Sequence, residues 1–418
     1  MADKLWVEGG TALHGKVCIG GAKNAALVLM AASIMAKGTT ILDNVPHIDD
    51  VEVMLEILNE MGIRSGWVDE NSLSISAPDY LIQEKTPFDL TKKLRASSLL
   101  LGAFLGRQDV AFVSMPGGCD IGPRPIDLHL KGIQALGTRV EIEHGYINAR
   151  VVDRQAARIY LDFPSVGATE NIMMMAATTP DVTTIENAAK EPEIVNLASF
   201  LNAMGAKVRG AGTDVIKITG VTELEAVRYP VIPDRIEAGT YMMAAAMTAG
   251  KVTVENVIPL HLHPIIAKLR EIGAEIEETE TGLIVCGSEE IHPADIKTLP
   301  YPGFPTDMQS QMMALLARAQ GTSVIVENVF ENRFQMADEI NRMGAKIKIE
   351  GHTAIVEGVP KLFSSTVKAT DLRAGAALII AALGASGTTL IEDAEHIFRG
   401  YEKIEQKFAA LGAKVRVE

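Results

Sequence analysis

The residues best suited to chemistry are one cysteine in an irregular stretch and a set of cations at recurrent positions. Met115–Pro125 (MPGGCDIGPRP) holds too much glycine and proline for a regular element, so it reads as a surface loop. A thiol there, Cys119, with Arg124 nearby, is a candidate reactive group, because cations favour the nucleophilic thiolate. Cys18 and Cys286 lie in strand-like runs and read as inert core residues. Gly20-Gly21-Ala22-Lys23-Asn24 fits neither a P-loop nor a dinucleotide fingerprint. Its glycines would let backbone N–H groups approach an anion at a helix start, with Lys23 adding a point charge. A turn followed by an exposed lysine accounts for the same residues. Arg95, Ser165–Gly167, Asp234–Arg235, Thr306–Asp307 and Asp371–Arg373 likewise stand just before apolar runs. Helix capping explains the Asp and Ser. It does not explain Arg95, Arg235 and Arg373, since a cation is disfavoured at the positive end of a helix. Helix starts converging on one face would make an anion site of them. Arg124, Arg333 and Arg399 read singly as solvated surface charges. His261 and His263 have no third ligand at metal spacing, so no metal is expected.

Repeats reveal the elements that must position these groups. An apolar residue, a glycine and a small or apolar residue recur six times, at Gly62, Gly137, Gly205, Gly273, Gly344 and Gly412, spaced 68 to 75 residues apart. Upstream in five units lies a β-prone run ending in Asn or Asp: Thr39–Asn44, Thr183–Asn187, Val252–Asn256, Val324–Asn328 and Thr388–Asp393. In the second unit the Cys119 loop is expected to replace it. An amphipathic helix is expected between each run and its glycine, as the spacing of Val51, Met54, Leu55, Leu58 and Met61 predicts. Before each run stands a segment apolar on nearly all sides, such as Ala25–Ala36, Met242–Ala249 or Ala374–Ala385. A helix without a polar face is buried on every side. The expectation is an α/β fold in which sheets and outer helices wrap central helices, rather than an open solenoid. Three units would form each half, joined near Tyr229–Pro233.

Composition removes several function classes. The 418 residues carry 39 Lys and Arg against 53 Asp and Glu, a net charge of −14, without a basic run that would grip nucleic acid. The longest near-apolar stretches fall short of a membrane span, so no membrane insertion is expected. The first ten residues lack an apolar region, and no signal peptide is expected. Three scattered cysteines support neither a disulfide framework nor a zinc cluster, which suggests a reducing, cytoplasmic setting.

Taken together, Gly21–Leu27 (GAKNAAL), Leu94–Ser97 (LRAS), Pro116–His129 (PGGCDIGPRPIDLH), Ser165–Asn171 (SVGATEN), Glu191–Val195 (EPEIV), Pro233–Glu237 (PDRIE), Phe304–Gln309 (FPTDMQ), Glu331–Phe334 (ENRF), Ala369–Ala374 (ATDLRA) and Arg399–Glu402 (RGYE) resemble the UDP-N-acetylglucosamine 1-carboxyvinyltransferase family of enolpyruvyl transferases. The resemblance spans the chain in order. It implies two inside-out α/β domains of three repeats, 22–231 and 1–21 plus 232–418, the N-terminal strand crossing to the second. It also implies transfer of enolpyruvyl from phosphoenolpyruvate to the 3′-hydroxyl of UDP-N-acetylglucosamine with release of phosphate, the first committed step of bacterial peptidoglycan synthesis, through a tetrahedral ketal and without a cofactor. By the same resemblance Lys23, Arg124 and Arg399 hold phosphoenolpyruvate, and Arg333 and Arg373 complete a basic cage. Asn24, Arg95, Arg124, Pro125, Ile126, Asp127, Leu128, Phe163, Pro164, Ser165, Val166, Asp307 and Val329 line the UDP-sugar site. Asp307 takes the hydroxyl proton. Cys119 is the acid, the site of a phosphoenolpyruvate-derived adduct and the target of fosfomycin. Some relatives carry lysines where this chain has His47, Ile48, Asp49 and Phe163, so those charge contacts are not carried over. Two alternatives stand beside this reading: a 5-enolpyruvylshikimate 3-phosphate synthase-like enzyme, which lacks the cysteine loop, and a catalytically silent binding paralogue.

Overall fold

The structure, a computed structural model, describes residues 4–79, 85–117 and 125–418. Six helices have almost no solvent-facing side: α1 (Lys23–Ser33), α2 (Leu100–Arg107), α3 (Val166–Ala176), α4 (Arg235–Met247), α5 (Gln309–Leu316) and α6 (Leu372–Leu383). Every residue of α5 and α6 is buried. Such helices gain only from being enclosed, at roughly 25 cal/mol per Å² of apolar surface removed from water. The chain encloses them in two compact units. One holds described residues 21–79, 85–117 and 125–232 with α1–α3; the other holds 4–20 and 233–418 with α4–α6. In the first, α2 packs on α1 and α3; in the second, all three helices pack on one another.

Sheets form the outer layer. Among the described residues the first unit has sheets centred on Gly38–Asp43, Tyr146–Val151 and Val182–Glu186, and the second on Lys251–Glu255, Thr322–Val326 and Thr388–Glu392. Strand Lys4–Glu8 lies between Thr388–Glu392 and Lys414–Val417, antiparallel to both, and His14–Cys18 runs parallel to Lys251–Glu255. Burial alternates along the β-prone runs: Thr183 and Ile185, Val252 and Val254, and Thr389 and Ile391 point inward. That period of two marks a half-buried strand.

The six signature glycines share one cause. Each stands two residues past the end of an outer helix, such as Asp49–Glu60 or Pro192–Ala203, and has φ between 82° and 105°. This is the left-handed exit that closes a helix and that glycine adopts without a Cβ penalty. The strand ends repeat as well: Asn44, Asn187, Asn256 and Asp393 have φ of 54–56°.

Three expectations need correction. The second repeat does not lose its strand to the loop; Val110–Ser114 fills that place directly before it, without the Thr-rich, Asn-terminated pattern of the others. Cys18 is exposed and Cys286 only half-buried, because each sits at an outward-facing strand position. Gly21 is close-packed, not open to a ligand: a Cβ there would lie 1.7 Å from the Asn44 carbonyl oxygen. The Gly20 N–H is already donated to Glu237 at 2.9 Å. Among the described residues no helix is long and apolar enough to cross a membrane.

A close helix crossing lies at Gly102 of α2, whose N–H donates to the Asn171 side-chain oxygen on α3 at 2.6 Å. A Cβ on Gly102 would lie 2.4 Å from the Asn171 carbonyl oxygen, which no side-chain rotation relieves. Gly102→Ala is expected to push α2 and α3 apart and cost about 1–3 kcal/mol or more. Equilibrium urea unfolding measures it; an unchanged midpoint would show that the crossing has slack.

Candidate functional site

In the second unit the starts of the central helices meet. Asp307 stands in the 3₁₀ turn Thr306–Met308 that leads into α5, and Arg373 in the first turn of α6. Arg373 Nη2 donates to Asp307 Oδ2 at 2.9 Å, and Arg333 Nη2 donates to Asp307 Oδ1 at 2.8 Å. Both guanidinium groups are nearly sealed from water, at 3% and 4% side-chain exposure for Arg333 and Arg373. The carboxylate between them is 26% exposed. Arg373 also donates to the Tyr401 hydroxyl at 3.3 Å, which meets Thr240 of α4 and Gln311 of α5. Burial alone would weaken the charge of Arg373, but Asp307, Tyr401 and Asp234 outweigh it and raise its pKa. Stripping the carboxylate from such a pair typically costs about 3–5 kcal/mol, since a buried charge is left uncompensated. The arginine that helix physics disfavours at a helix start is thus held by an aspartate from the neighbouring start.

One further carboxylate ties this cluster together. Glu327, 1% exposed, accepts from the Thr298 hydroxyl (2.8 Å), the Thr306 hydroxyl (2.9 Å), and the N–H groups of Val329 (2.8 Å) and Phe330 (3.2 Å). Thr306 in turn accepts from Arg333 Nη1 at 3.0 Å. Val329 is therefore placed by the same acid that steadies the turn before α5. Arg399 is half-buried just past the short helix Glu395–Phe398, two residues before Tyr401.

In the first unit the candidates again gather at helix starts. Lys23 opens α1, and its ammonium donates to Asp50 at 3.0 Å, the pair being almost buried. Asn24, next along, is exposed. Arg95 opens the 3₁₀ turn Arg95–Leu99 ahead of α2 and is half-buried. Ser165 caps α3, its hydroxyl accepting from the Ala168 N–H. Phe163 is exposed; Pro164 and Val166 are half-buried. Pro125 is exposed, Ile126 buried, and Asp127 and Leu128 open the helix Asp127–Ala135, which packs on α3. His129 meets Asn171 at 2.7 Å, and Lys131 pairs with Asp162 at 2.7 Å, so these two segments lie together. The His47 ring stacks on Trp67 at 3.5 Å between centroids. Inside α3, Glu170 is pushed well up in pKa by burial and by Glu193 and Glu191, and so tends to keep its proton.

Cys119 and Arg124 lie outside the described residues. Among the described residues no His, Cys, Asp and Glu group could hold a metal ion. His261 is neutral at physiological pH: burial and Arg235 lower its pKa to about 4.

The second-unit cluster is a partly exposed carboxylate clamped by two cations. That suits deprotonating a hydroxyl beside an anionic partner, and a fixed basic environment for charge that develops there. Tyr401 and Glu327 were not singled out from sequence, and Asp50 was read there only as a possible cap, with Asp49, of the helix before Gly62; the N-cap is Ile48, and Asp50 instead holds Lys23. Tyr401 sits inside RGYE and Asp50 beside His47–Asp49. Glu327 ends a β-prone run like four other acids, and only its surroundings distinguish it.

Comparison with known proteins adds to this geometry. The family model for EPSP synthase (3-phosphoshikimate 1-carboxyvinyltransferase) matches residues 7–408. The chain is 54% identical over 415 residues to UDP-N-acetylglucosamine 1-carboxyvinyltransferase 1 of Caldanaerobacter subterraneus, with 99% of each chain covered. It is also 54% identical to UDP-N-acetylglucosamine 1-carboxyvinyltransferase 2 of Carboxydothermus hydrogenoformans, again over 99% of each. The fold matches the enolpyruvyl transferase NikO from Streptomyces tendae at a TM-score of 0.89 and 24% identity, covering 99% of this chain and 98% of that one. EPSP synthase from Acinetobacter baumannii matches at 0.78 and 17%, covering 99% of each. With a family model across nearly its whole length and half its residues shared with these relatives, the chain belongs to the UDP-N-acetylglucosamine 1-carboxyvinyltransferase family of enolpyruvyl transferases.

Proposed function

We propose that the chain transfers the enolpyruvyl group of phosphoenolpyruvate to the 3′-hydroxyl of UDP-N-acetylglucosamine in the cytoplasm, opening peptidoglycan synthesis. The observation that carries the reading is Asp307, held at the start of α5 between two buried arginines and itself 26% exposed. Asp307 takes the proton of the 3′-hydroxyl as its oxygen bonds to C2 of phosphoenolpyruvate. Cys119 gives a proton to C3, and the product is a tetrahedral ketal. Loss of a proton from C3 and of phosphate from C2 restores the double bond. Lys23, Arg124, Arg333, Arg373 and Arg399 offset the anionic charge of two substrates that repel each other, which a net charge of −14 would not. Asn24, Arg95, residues 125–128, residues 163–166 and Val329 line the sugar nucleotide. The two domains of this reading are 22–231 and 1–21 plus 232–418.

The description of the matching family model supports a second reading, a 3-phosphoshikimate enzyme. Phosphate release separates them. Phosphoenolpyruvate with UDP-N-acetylglucosamine is expected to give turnover, and with shikimate 3-phosphate none; the reverse result would move the chain to the second reading.

Asp307→Ala is expected to lower kcat by about 10²–10⁴, as for a positioned acid–base group. Near-normal turnover in a folded variant would remove Asp307 from the mechanism.

Exposed Cys18 changes how the thiol must be tested, since a simple alkylating agent would label it too. An epoxide phosphonate such as fosfomycin is expected to inactivate by alkylating Cys119 alone, because the cations that hold phosphate also hold the phosphonate beside that sulfur. Peptide mapping reads the outcome. A label on Cys18 or Cys286, or full sensitivity in Cys119→Ser, would show that another residue carries the role.

A further inference from the structure

Five of the six repeats end their β-prone run in an acid followed by Asn or Asp: Asp43, Glu186, Glu255, Glu327 and Glu392. In three of them the acid does the same thing. It turns outward and pairs with a cation on the parallel neighbouring strand, two residues before its register partner. Asp43 pairs with Arg228 at 2.7 Å, Glu186 with Arg158, and Glu255 with Lys16 at 2.8 Å. These carboxylates are 27–30% exposed. In the fifth repeat the position that should carry the cation is Ile296, 1% exposed. Glu327 is 1% exposed as well and takes four hydrogen bonds, from Thr298, Thr306, Val329 and Phe330. The strand end departs with it. Asn44, Asn187, Asn256 and Asp393 all have left-handed φ, and Asn328 does not; its N–H is donated to Thr298 instead.

A repeat that abandons an arrangement kept by three of its sisters, and buries a carboxylate in doing so, needs a local reason. The bonds supply one. Thr306 has a single hydroxyl proton, and Glu327 draws it. The Thr306 oxygen therefore faces Arg333 with its lone pairs and accepts from Nη1, while Arg333 Nη2 reaches Asp307. Glu327 accordingly fixes the Thr306 hydroxyl proton and so steadies the line Glu327–Thr306–Arg333–Asp307, and through two backbone N–H groups it places Val329.

We infer that Glu327 is a positioning residue for the reaction, orienting the Arg333–Asp307 pair through Thr306 without touching substrate itself. This rests on the role proposed for Asp307. Glu327→Gln is nearly isosteric, but three donors already hold Oε1, so its amide N–H₂ faces Thr306, the Thr306 proton loses its acceptor, and the hydroxyl is no longer fixed between Glu327 and Arg333.

The test compares phosphate release by the full-length chain, with phosphoenolpyruvate and UDP-N-acetylglucosamine, for Glu327→Gln, for Thr306→Val, and for Glu255→Gln as the sister-repeat control. Glu327→Gln is expected to lower kcat about 10- to 100-fold, the scale of a small misplacement of a reacting group. Thr306→Val, which cuts only the middle of the line, is expected to match it, and Glu255→Gln to keep full activity. In an Asp307→Ala background, Glu327→Gln is expected to add less than about a threefold further loss, because groups acting as one unit are not additive. A purely structural role would lower the melting temperature and give additive losses. Full kcat in both Glu327→Gln and Thr306→Val, an equal loss in Glu255→Gln, or additivity with Asp307→Ala would overturn the inference while leaving the activity itself in place. No turnover by the unaltered chain would overturn the proposed function and this role with it.

Discussion

Everything in this fold depends on six helices that have almost no solvent-facing side. A helix that is mainly Ala, Leu, Ile, Val and Met all round cannot lie on a surface, so strands and amphipathic helices must close around it, and the few polar residues on it are buried too. Once that has happened, the flanks of a central helix offer no place for a polar group that must reach solvent or a substrate. Only the ends do. Lys23, Arg95, Ser165, Asp307 and Arg373 accordingly stand at helix starts, where unpaired backbone N–H groups and the helix dipole already favour anions.

Placing arginines at those starts runs against the dipole, and the structure compensates locally. Asp371 accepts from the N–H groups of Arg373 and Ala374, and Asp234 does the same for Ile236 and Glu237, so the dipoles are met by capping carboxylates. The guanidinium of Arg373 is then satisfied by Asp307 and Tyr401. Buried ion pairs of this kind contribute little net stability, because desolvation offsets most of the attraction. What they provide is fixed geometry in a place of low dielectric, which suits a site that must receive two anions.

Repetition makes the structure its own control. Sister positions show what a residue does when only folding is at stake: in three repeats an acid at a strand end pairs with the neighbouring strand, and in all six a glycine closes a helix. Departures from those habits mark where folding is not the sole demand. The second repeat departs by leading its strand Val110–Ser114 into the cysteine loop, and the fifth by turning Glu327 inward. Lys23 departs too, being nearly buried against Asp50 when a helix-start lysine would ordinarily stand in water.

The repeats, the buried helices, the helix-ending glycines and the helix-start positions of the candidate residues were legible in the sequence alone. They follow from periodicity and from backbone conformations that few residue types tolerate, and both are local. The strand of the second repeat was hidden because tertiary burial, not β-propensity motif, defines it. Cys18 was misread because a strand has two faces, and five residues do not say which one looks outward. The partners of Arg373, Arg333 and Glu327 could not be read at all, since Asp307 lies 66 residues from one and 26 from another along the chain. Sequence determined which residues are polar at the mouth of each helix. Only the packing of three helices side by side decided which of them share a charge, because the energy of an ion pair depends on distances that the chain sets by folding.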